Sequence, residues 1–159
     1  MRSLGLDIGD KRTGVAVSDA QGILASPLTV IASEDEDTLL NEILRLVEQY
    51  KADCVVVGLP RRLDGELGEQ ANKVIAFTDR VSRRVKQSNL NQLNIQLWDE
   101  RLSTKAAQRL KIEGNKRNRM PSKAKRKAGK RKFTAKSEVD AIAAAYILQG
   151  FLDSHHPDQ

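Results

Sequence analysis

Several carboxylates stand where apolar segments of the sequence begin or end. Asp7 lies near the end of the first apolar segment, and Asp140 lies near the start of the last one. Asp99 and Glu100 directly follow the apolar segment Ile95–Trp98. Carboxylates on rigid elements are hard oxygen ligands, suited to Mg²⁺ or Mn²⁺. Because two such ions activate water and stabilise a leaving oxygen, the pattern indicates phosphodiester hydrolysis.

Each of these acids also has a purely structural interpretation. Asp7 interrupts an apolar strand, where a buried carboxylate is costly unless it is paired, so a salt bridge is the alternative to a metal or phosphate role. Asp99 and Glu100 are adjacent, so on a strand they point to opposite faces and at most one faces a site. Ser137 and Asp140 match a capping box, in which Asp140 would only bond the backbone at a helix start.

The segment from Asp7 to Gly14 is a turn punctuated by glycine, with Lys11 and Arg12 inside it. Such turns can bring backbone N–H groups close to a phosphate. A hairpin also needs glycine, however, so the pattern has two interpretations. Its spacing matches neither the Walker nor the Rossmann motif.

The net charge of +6 comes from 27 Lys and Arg against 21 Asp and Glu, and it is unevenly distributed. Residues 111–136 hold twelve basic residues and one acid, a net charge of +11, which leaves −5 for the remainder. This segment is poor in apolar residues and contains Gly114, Pro121 and Gly129, so it is predicted to be a mobile basic loop at about 113–136. Such runs usually bind polyanions, most often nucleic acid; the alternative is a solvated loop that only aids solubility.

Length and composition favour one soluble domain spanning residues 1–159. A chain of 159 residues, 40% of them apolar, can bury a substantial core. No apolar run approaches the roughly 20 residues that span a bilayer, so no membrane partner is expected. The acid at position 7 interrupts any signal-peptide pattern, and the lone Cys54 excludes an intramolecular disulfide. The expected location is cytoplasmic.

The periodicity of apolar residues predicts an antiparallel meander followed by β-α-β crossovers, which makes a mixed sheet flanked by helices. Functional sites in such sheets lie beyond the carboxyl ends of the parallel strands. Pro27 suits an edge strand, because a missing N–H is tolerated there. The predicted strands are Ser3–Ile8, Thr13–Ser18, Ile23–Ile31, Cys54–Val57 and Ile95–Trp98. The predicted helices begin at Ser33, run over 68–86 and 103–112, and end the chain over Ser137–Leu152.

Taken together, several segments resemble the YqgF family, also called RuvX, over nearly the whole chain. The run from Asp99 to Thr104, followed by Val139-Asp140, is the specific part of the resemblance. The segments that carry it are Leu6–Gly9, Gly14–Asp19, Val56–Pro60, Asp64–Gly65, Asp99–Thr104 and Val139–Gln149.

The resemblance implies a ribonuclease H-like α/β fold, with a five-stranded mixed sheet whose second strand is antiparallel. The family's carboxylate triad falls on Asp7, Glu100 and Asp140, which would hold Mg²⁺ or Mn²⁺ at the scissile phosphate. Asp7 is expected to bridge the ions, with the other two carboxylates each completing one side. Arg101 and Thr104 are expected to position phosphate or support the site.

Further contacts with the nucleic-acid backbone are expected from Lys11 and Arg12 and from the basic segment. The residues of that segment assigned to binding are Lys116, Arg117, Arg119, Lys123, Lys125, Arg126, Lys127, Lys130, Arg131 and Lys132.

Family members are described as Holliday-junction resolvases and as nucleases that mature the 5′ end of pre-16S rRNA. The leading interpretation is a metal-dependent endonuclease that cuts an rRNA precursor. The second is a resolvase of branched DNA in recombination and repair, which needs two active sites and hence a dimer. The third is a non-catalytic factor that only binds nucleic acid. A monomer and a homodimer both stay open.

Overall fold

The structure is a computed structural model that describes residues 1–60, 66–90, 92–99 and 135–155. Five strands and three helices make up these ranges. The strands are β1 (Ser3–Ile8), β2 (Arg12–Ser18), β3 (Ala25–Ala32), β4 (Cys54–Leu59) and β5 (Asn94–Asp99). The helices are α1 (Glu36–Tyr50), α2 (Glu69–Gln87) and α3 (Ala135–His155).

The strands form one mixed sheet in the order β3-β2-β1-β4-β5. β2 runs antiparallel to both of its neighbours, whereas β1, β4 and β5 are mutually parallel. This confirms the predicted fold class, including the antiparallel second strand. β3 is an edge strand, as Pro27 predicts, and the register with β2 shifts between Val15 and Ala16, beside the proline.

The third strand begins two residues later than predicted. The carboxylate of Asp19 accepts hydrogen bonds from the backbone N–H groups of Ile23 (2.8 Å) and Leu24 (3.3 Å). These bonds hold both residues in the β2–β3 turn, so β3 starts at Ala25. A local side-chain bond of this kind competes directly with the sheet ladder.

One face of the sheet packs against α1 and α2. Because side chains alternate along a strand, Leu4 and Leu6 of β1 point to this face, as do Val55 and Val57 of β4. All four are fully or almost fully buried among the apolar stripes of the two helices. This face holds the larger apolar core of the described residues.

The other face of the sheet packs against α3. Several strand residues on this face are small, namely Gly5, Ala16 and Cys54, and α3 contributes Ala144 beside larger apolar residues such as Leu148. A Cβ atom on Gly5 would lie 2.7 Å from Cβ of Leu148. The helix therefore lies closer to the strands here than a row of larger side chains would permit.

α1 begins at Glu36, three residues after Ser33, where the sequence predicts the start. Its N-cap is Asp35, whose carboxylate accepts bonds from the backbone N–H of Asp37 (3.2 Å) and the hydroxyl of Thr38 (2.8 Å). Ser33 instead bonds the backbone N–H of Asp35 at 3.1 Å, which supports the cap from outside the helix.

α3 is longer than predicted at both ends. It includes positions 135 and 136, the last two of the predicted basic loop, and it continues past Gly150 to His155. The rest of that loop and the helix predicted over 103–112 lie outside the described residues. In the ranges that the structure covers, no helix combines the length and apolarity that a membrane crossing requires.

Candidate active site

Asp7 is the next-to-last residue of β1, at the carboxyl end of the parallel strands. It is two residues from Gly5, so its side chain points to the α3 face. Its partner across the antiparallel ladder is Gly14 of β2. Two residues paired in this way have Cα atoms about 4.5–5.5 Å apart. Asp7 is only half-buried, so it is accessible from solvent.

Asp140 approaches the same point from α3. A Cβ atom built on Gly14 would overlap the carbonyl oxygen of Asp140 and lie 3.0 Å from the backbone nitrogen of Ala141. The backbone of Asp140 therefore lies directly over Gly14, whose neighbour in the ladder is Asp7. Two residues 133 positions apart in sequence thus meet at one end of one sheet face.

The capping-box interpretation of Asp140 is wrong. α3 already includes Ala135, so Ser137 lies inside the helix rather than at its N-cap, and Asp140 is the sixth helical residue. A capping box requires its acidic member three residues after the N-cap. The side chain of Asp140 is therefore available for another role, and it is partly exposed.

The structure shows which face of the sheet Asp99, the last residue of β5, points to. Trp98 packs into the core on the α3 face, and its ring meets that of Phe151 edge-on at 5.7 Å. Asp99 is the next residue and the last of β5, so its side chain points to the opposite face. Glu100 lies outside the described residues, as do Arg101, Thr104 and all ten basic residues assigned to binding from 116 to 132.

The described ranges therefore bring two carboxylate-bearing residues, Asp7 and Asp140, to the same end of the α3 face, and within those ranges no cluster of three or more metal-ligating side chains occurs. Carboxylate oxygens are the ligand type that Mg²⁺ and Mn²⁺ prefer. Since Mg²⁺ usually keeps several water ligands and uses one or two carboxylates, the residues present fit such an ion.

The turn between β1 and β2 separates the two basic residues predicted there. Gly9 donates its backbone N–H to the carbonyl of Arg12 at 2.9 Å, which closes the turn and occupies an N–H that a phosphate would need. Arg12 is two residues before Gly14, so its side chain lies on the α3 face with Asp7. Lys11 is exposed at the turn, and its carbonyl accepts the N–H of Ser33 at 3.1 Å.

A cleft of about 240 Å³ opens at the same end of the sheet, beside α1 and α2. Its mouth is mainly acidic, with Asp10 and the residues from Glu34 to Glu36. Lys73 of α2 lies 3.6 Å from Asp10 in the mouth. The hydroxyl of Thr38 and the N–H of Asp37 lower the pKa of Asp35, so this carboxylate keeps its charge at a lower pH than usual.

Two polar residues connect the elements of the site, and neither of them has a role that is predicted from the sequence. Gln70 of α2 donates from Nε2 to the carbonyl of Ile8 at 3.2 Å, one residue after Asp7. Gln149 of α3 bonds the β2–β3 turn twice: it accepts from the N–H of Ala25 and donates to the carbonyl of Ile23, each at 2.9 Å. Both contacts join residues more than 60 positions apart, so no local sequence pattern predicts them.

Solved structures share the fold of this chain at low sequence identity. *Thermus thermophilus* RuvC in complex with a Holliday junction substrate matches with a TM-score of 0.60, 13% identity and coverage of 99% and 97% of the two chains. The fowlpox virus resolvase with its Holliday junction DNA has a TM-score of 0.55 at 13% identity, covering 98% of this chain and 99% of the resolvase. These likenesses support a ribonuclease H-like fold.

Sequence relatives are much closer. A protein of *Clostridium botulinum* named "Putative pre-16S rRNA nuclease" is 42% identical over 154 residues, which cover 97% of this chain and 98% of the relative. A protein of the same name from *Clostridium novyi* is 39% identical over 97% of this chain and 99% of its own. The family model RuvX, described as Holliday junction resolvase, matches residues 1–154. The chain therefore belongs to the RuvX (YqgF) family of nucleases.

Proposed function

We propose that this protein is a divalent-metal-dependent endonuclease whose active site is built on the α3 face around Asp7 and Asp140. One observation carries the proposal: the backbone of Asp140 lies over Gly14, the ladder partner of Asp7. Two carboxylates brought together at the carboxyl end of parallel strands are positioned as in other α/β active sites.

Glu100 is proposed as the third ligand. Its support is the alternation along β5, in which Trp98 faces α3 and Asp99 does not. The next position of an extended strand returns to the α3 face, which agrees with the choice of Glu100 over Asp99 that the family resemblance implies. Asp7 is proposed to be the shared ligand, because it lies on the central strand of the sheet.

Bound Mg²⁺ or Mn²⁺ would polarise the scissile phosphate and lower the pKa of the attacking water. The chain's own groups then have separate tasks. The carboxylates bind the cation, Arg12 on the same face neutralises substrate phosphate, and the basic residues from 116 to 132 hold the nucleic-acid backbone. Lys11, Arg101 and Thr104 are proposed to add phosphate contacts.

The proposed substrate is the 5′ end of the pre-16S rRNA precursor, which makes the protein a cytoplasmic partner of ribosome assembly. This substrate follows from the names of relatives that are about 40% identical over nearly the whole chain. A Holliday junction is the second candidate, favoured by the description of the matching family model. Cutting a junction symmetrically needs two active sites, so this alternative also requires a homodimer.

The test is a cleavage assay with Mn²⁺ on two substrates, a pre-16S rRNA 5′ leader and a four-way DNA junction. The leader is expected to be cut, and Asp7→Asn is expected to slow the cut by roughly a hundredfold to a thousandfold. Cleavage of the junction alone would replace the first candidate by the second. Unchanged rRNA processing in cells that carry Asp7→Asn would instead favour a non-catalytic binding factor.

Deleting residues 115–131 tests the proposed separation of binding from chemistry. The deleted stretch carries nine of the chain's basic residues, so affinity for all sequences should fall alike and the slope of log affinity against log salt should flatten. Filter binding at several salt concentrations measures both quantities. A changed sequence preference with an unchanged slope would contradict the assignment.

A further inference from the structure

Gly14 is the point at which the two carboxylate-bearing elements touch. It lies inside β2 rather than in the preceding turn, is paired with Asp7, and is covered by the backbone of Asp140. The obstacle that any side chain would meet there is backbone, namely the carbonyl of Asp140 and the nitrogen of Ala141. Backbone cannot rotate away as the end of a flexible side chain can, so the turn of α3 that carries Asp140 would have to move.

We propose that Gly14 is a positioning residue for the metal site, and that its missing side chain sets the distance at which Asp140 is held from Asp7. This inference rests on the proposed function, since it assigns Gly14 a part in the same site. Gly14 touches neither metal nor substrate, and it acts only through the placement of Asp140.

Gly5 provides a matched control on the same face. A Cβ atom there would lie 2.7 Å from Cβ of Leu148 and 2.9 Å from the carbonyl of Ala144. Gly5→Ala therefore also pushes α3 away from the sheet, but one to two turns beyond Asp140. The two variants should lose similar stability, and only one of them displaces a proposed ligand.

The experiment measures Mn²⁺ affinity of the full chain by electron paramagnetic resonance, together with the thermal midpoint. Gly14→Ala is expected to weaken Mn²⁺ binding by about tenfold or more, the effect typical of lost support for a ligand. Gly5→Ala should lower the midpoint comparably yet leave the affinity within about twofold, since the groups it displaces belong to Ala144 and Leu148 and not to the turn that carries Asp140.

A double-mutant cycle tests whether Gly14 acts through Asp140. In an Asp140→Asn background, Gly14→Ala should cause no further loss of Mn²⁺ affinity, because coupled residues are not additive. Wild-type affinity in folded Gly14→Ala would overturn the inference. So would an equal loss in Gly5→Ala, or a full further loss in the Asp140→Asn background.

If Gly14→Ala does not fold, Ala141→Val replaces it. Ala141 is buried and follows Asp140 on the same turn, so its added volume displaces that turn from the helix side. The same loss of Mn²⁺ affinity is expected, and normal affinity would overturn the inference. Mn²⁺ binding that depends on Gly14 without cleavage of either substrate would contradict the proposed function alone, whereas a wild type that binds no Mn²⁺ would contradict both.

Discussion

The two faces of the sheet are lined by different types of residue. The face against α1 and α2 is filled with leucine, isoleucine and valine, of which Leu6, Ile43 and Val55 are fully buried. The face against α3 has glycine, alanine and cysteine at several of its central positions, and it carries Asp7 and Asp140 at one end.

Under the proposed function, one face of the sheet serves stability and the other serves chemistry. Large apolar side chains on the first face remove the most area from water, which is the dominant stabilising contribution to folding. Small residues on the second face stabilise less, but they let the helix backbone come close to the strands. Close approach is what brings a helical carboxylate to a strand carboxylate in a fixed geometry.

Asp7→Asn tests the chemical face and has the largest expected effect. The change removes one negative charge and keeps the size of the side chain, so the fold should persist. Single-turnover cleavage of the rRNA leader is expected to fall by roughly a hundredfold to a thousandfold, as when one electrostatic contact to a transition state is lost. A variant that cleaves normally would show that Asp7 has only a structural role.

Leu6→Ala tests the stabilising face at the neighbouring position of β1. Leu6 is fully buried and points away from Asp7. Removing its side chain should cost about 3–5 kcal/mol of unfolding free energy, measured by urea denaturation. The rate of cleavage per folded molecule should not change. A loss of rate larger than the loss of folded protein would mean that the two faces are not separate in function.

Gln149→Leu tests how α3 is held along the sheet, with a smaller effect. The change removes the hydrogen bonds to Ala25 and Ile23 while preserving much of the side chain's volume. The expected loss is about 1–2 kcal/mol of unfolding free energy. Gln87→Leu, at the exposed end of α2, is the control and should change stability little. Equal losses of unfolding free energy in the two variants would show that the hydrogen bonds of Gln149 do not stabilise the fold.

The smallest expected effect concerns how steeply stability falls at acid pH. Thr38 and Asp37 lower the pKa of Asp35, and the N–H of Ile23 is the main cause of a lowered pKa at Asp19. A carboxyl whose pKa is lower in the folded state than in the unfolded state stabilises the fold. This stabilisation is complete at pH values above the unfolded-state pKa, near 3.8, and it is lost as the pH falls through the folded-state pKa. Urea midpoints from pH 5 to pH 2 should therefore decline less steeply in Asp35→Asn. A curve parallel to that of the wild type would contradict this.

Much of the fold follows from local patterns in the sequence. β1 has the predicted bounds, α2 is displaced by one residue, and Pro27 correctly predicts an edge strand. Alternation along β5 predicts that Asp99 and its neighbour point to opposite faces without choosing between them, and the structure adds that Asp99 points away from α3. The triad itself, including Glu100, stays a prediction.

The features that could not be predicted from the sequence depend on contacts between distant segments. In the sequence, Gly14 is interpreted as the end of a glycine turn. In the structure, glycine is required there because the backbone of α3 lies over it. From the sequence, Asp140 is interpreted equally well as a helix cap or as a metal ligand, because no local sequence pattern predicts that α3 begins at Ala135. The bonds of Gln70 and Gln149 likewise appear only when the sheet brings separate elements together.

The most direct test is calorimetric titration with Mn²⁺ of the wild type, Asp7→Asn, Asp140→Asn and Asp10→Asn. Asp10 is the matched control, because it lies at the same end of the sheet but lines the acidic cleft beside α1 and α2. Asp7→Asn and Asp140→Asn should each bind Mn²⁺ at least about tenfold more weakly, and Asp10→Asn should bind as the wild type does. Normal binding by Asp140→Asn together with weakened binding by Asp10→Asn would place the cation in the cleft and contradict a metal site on the α3 face.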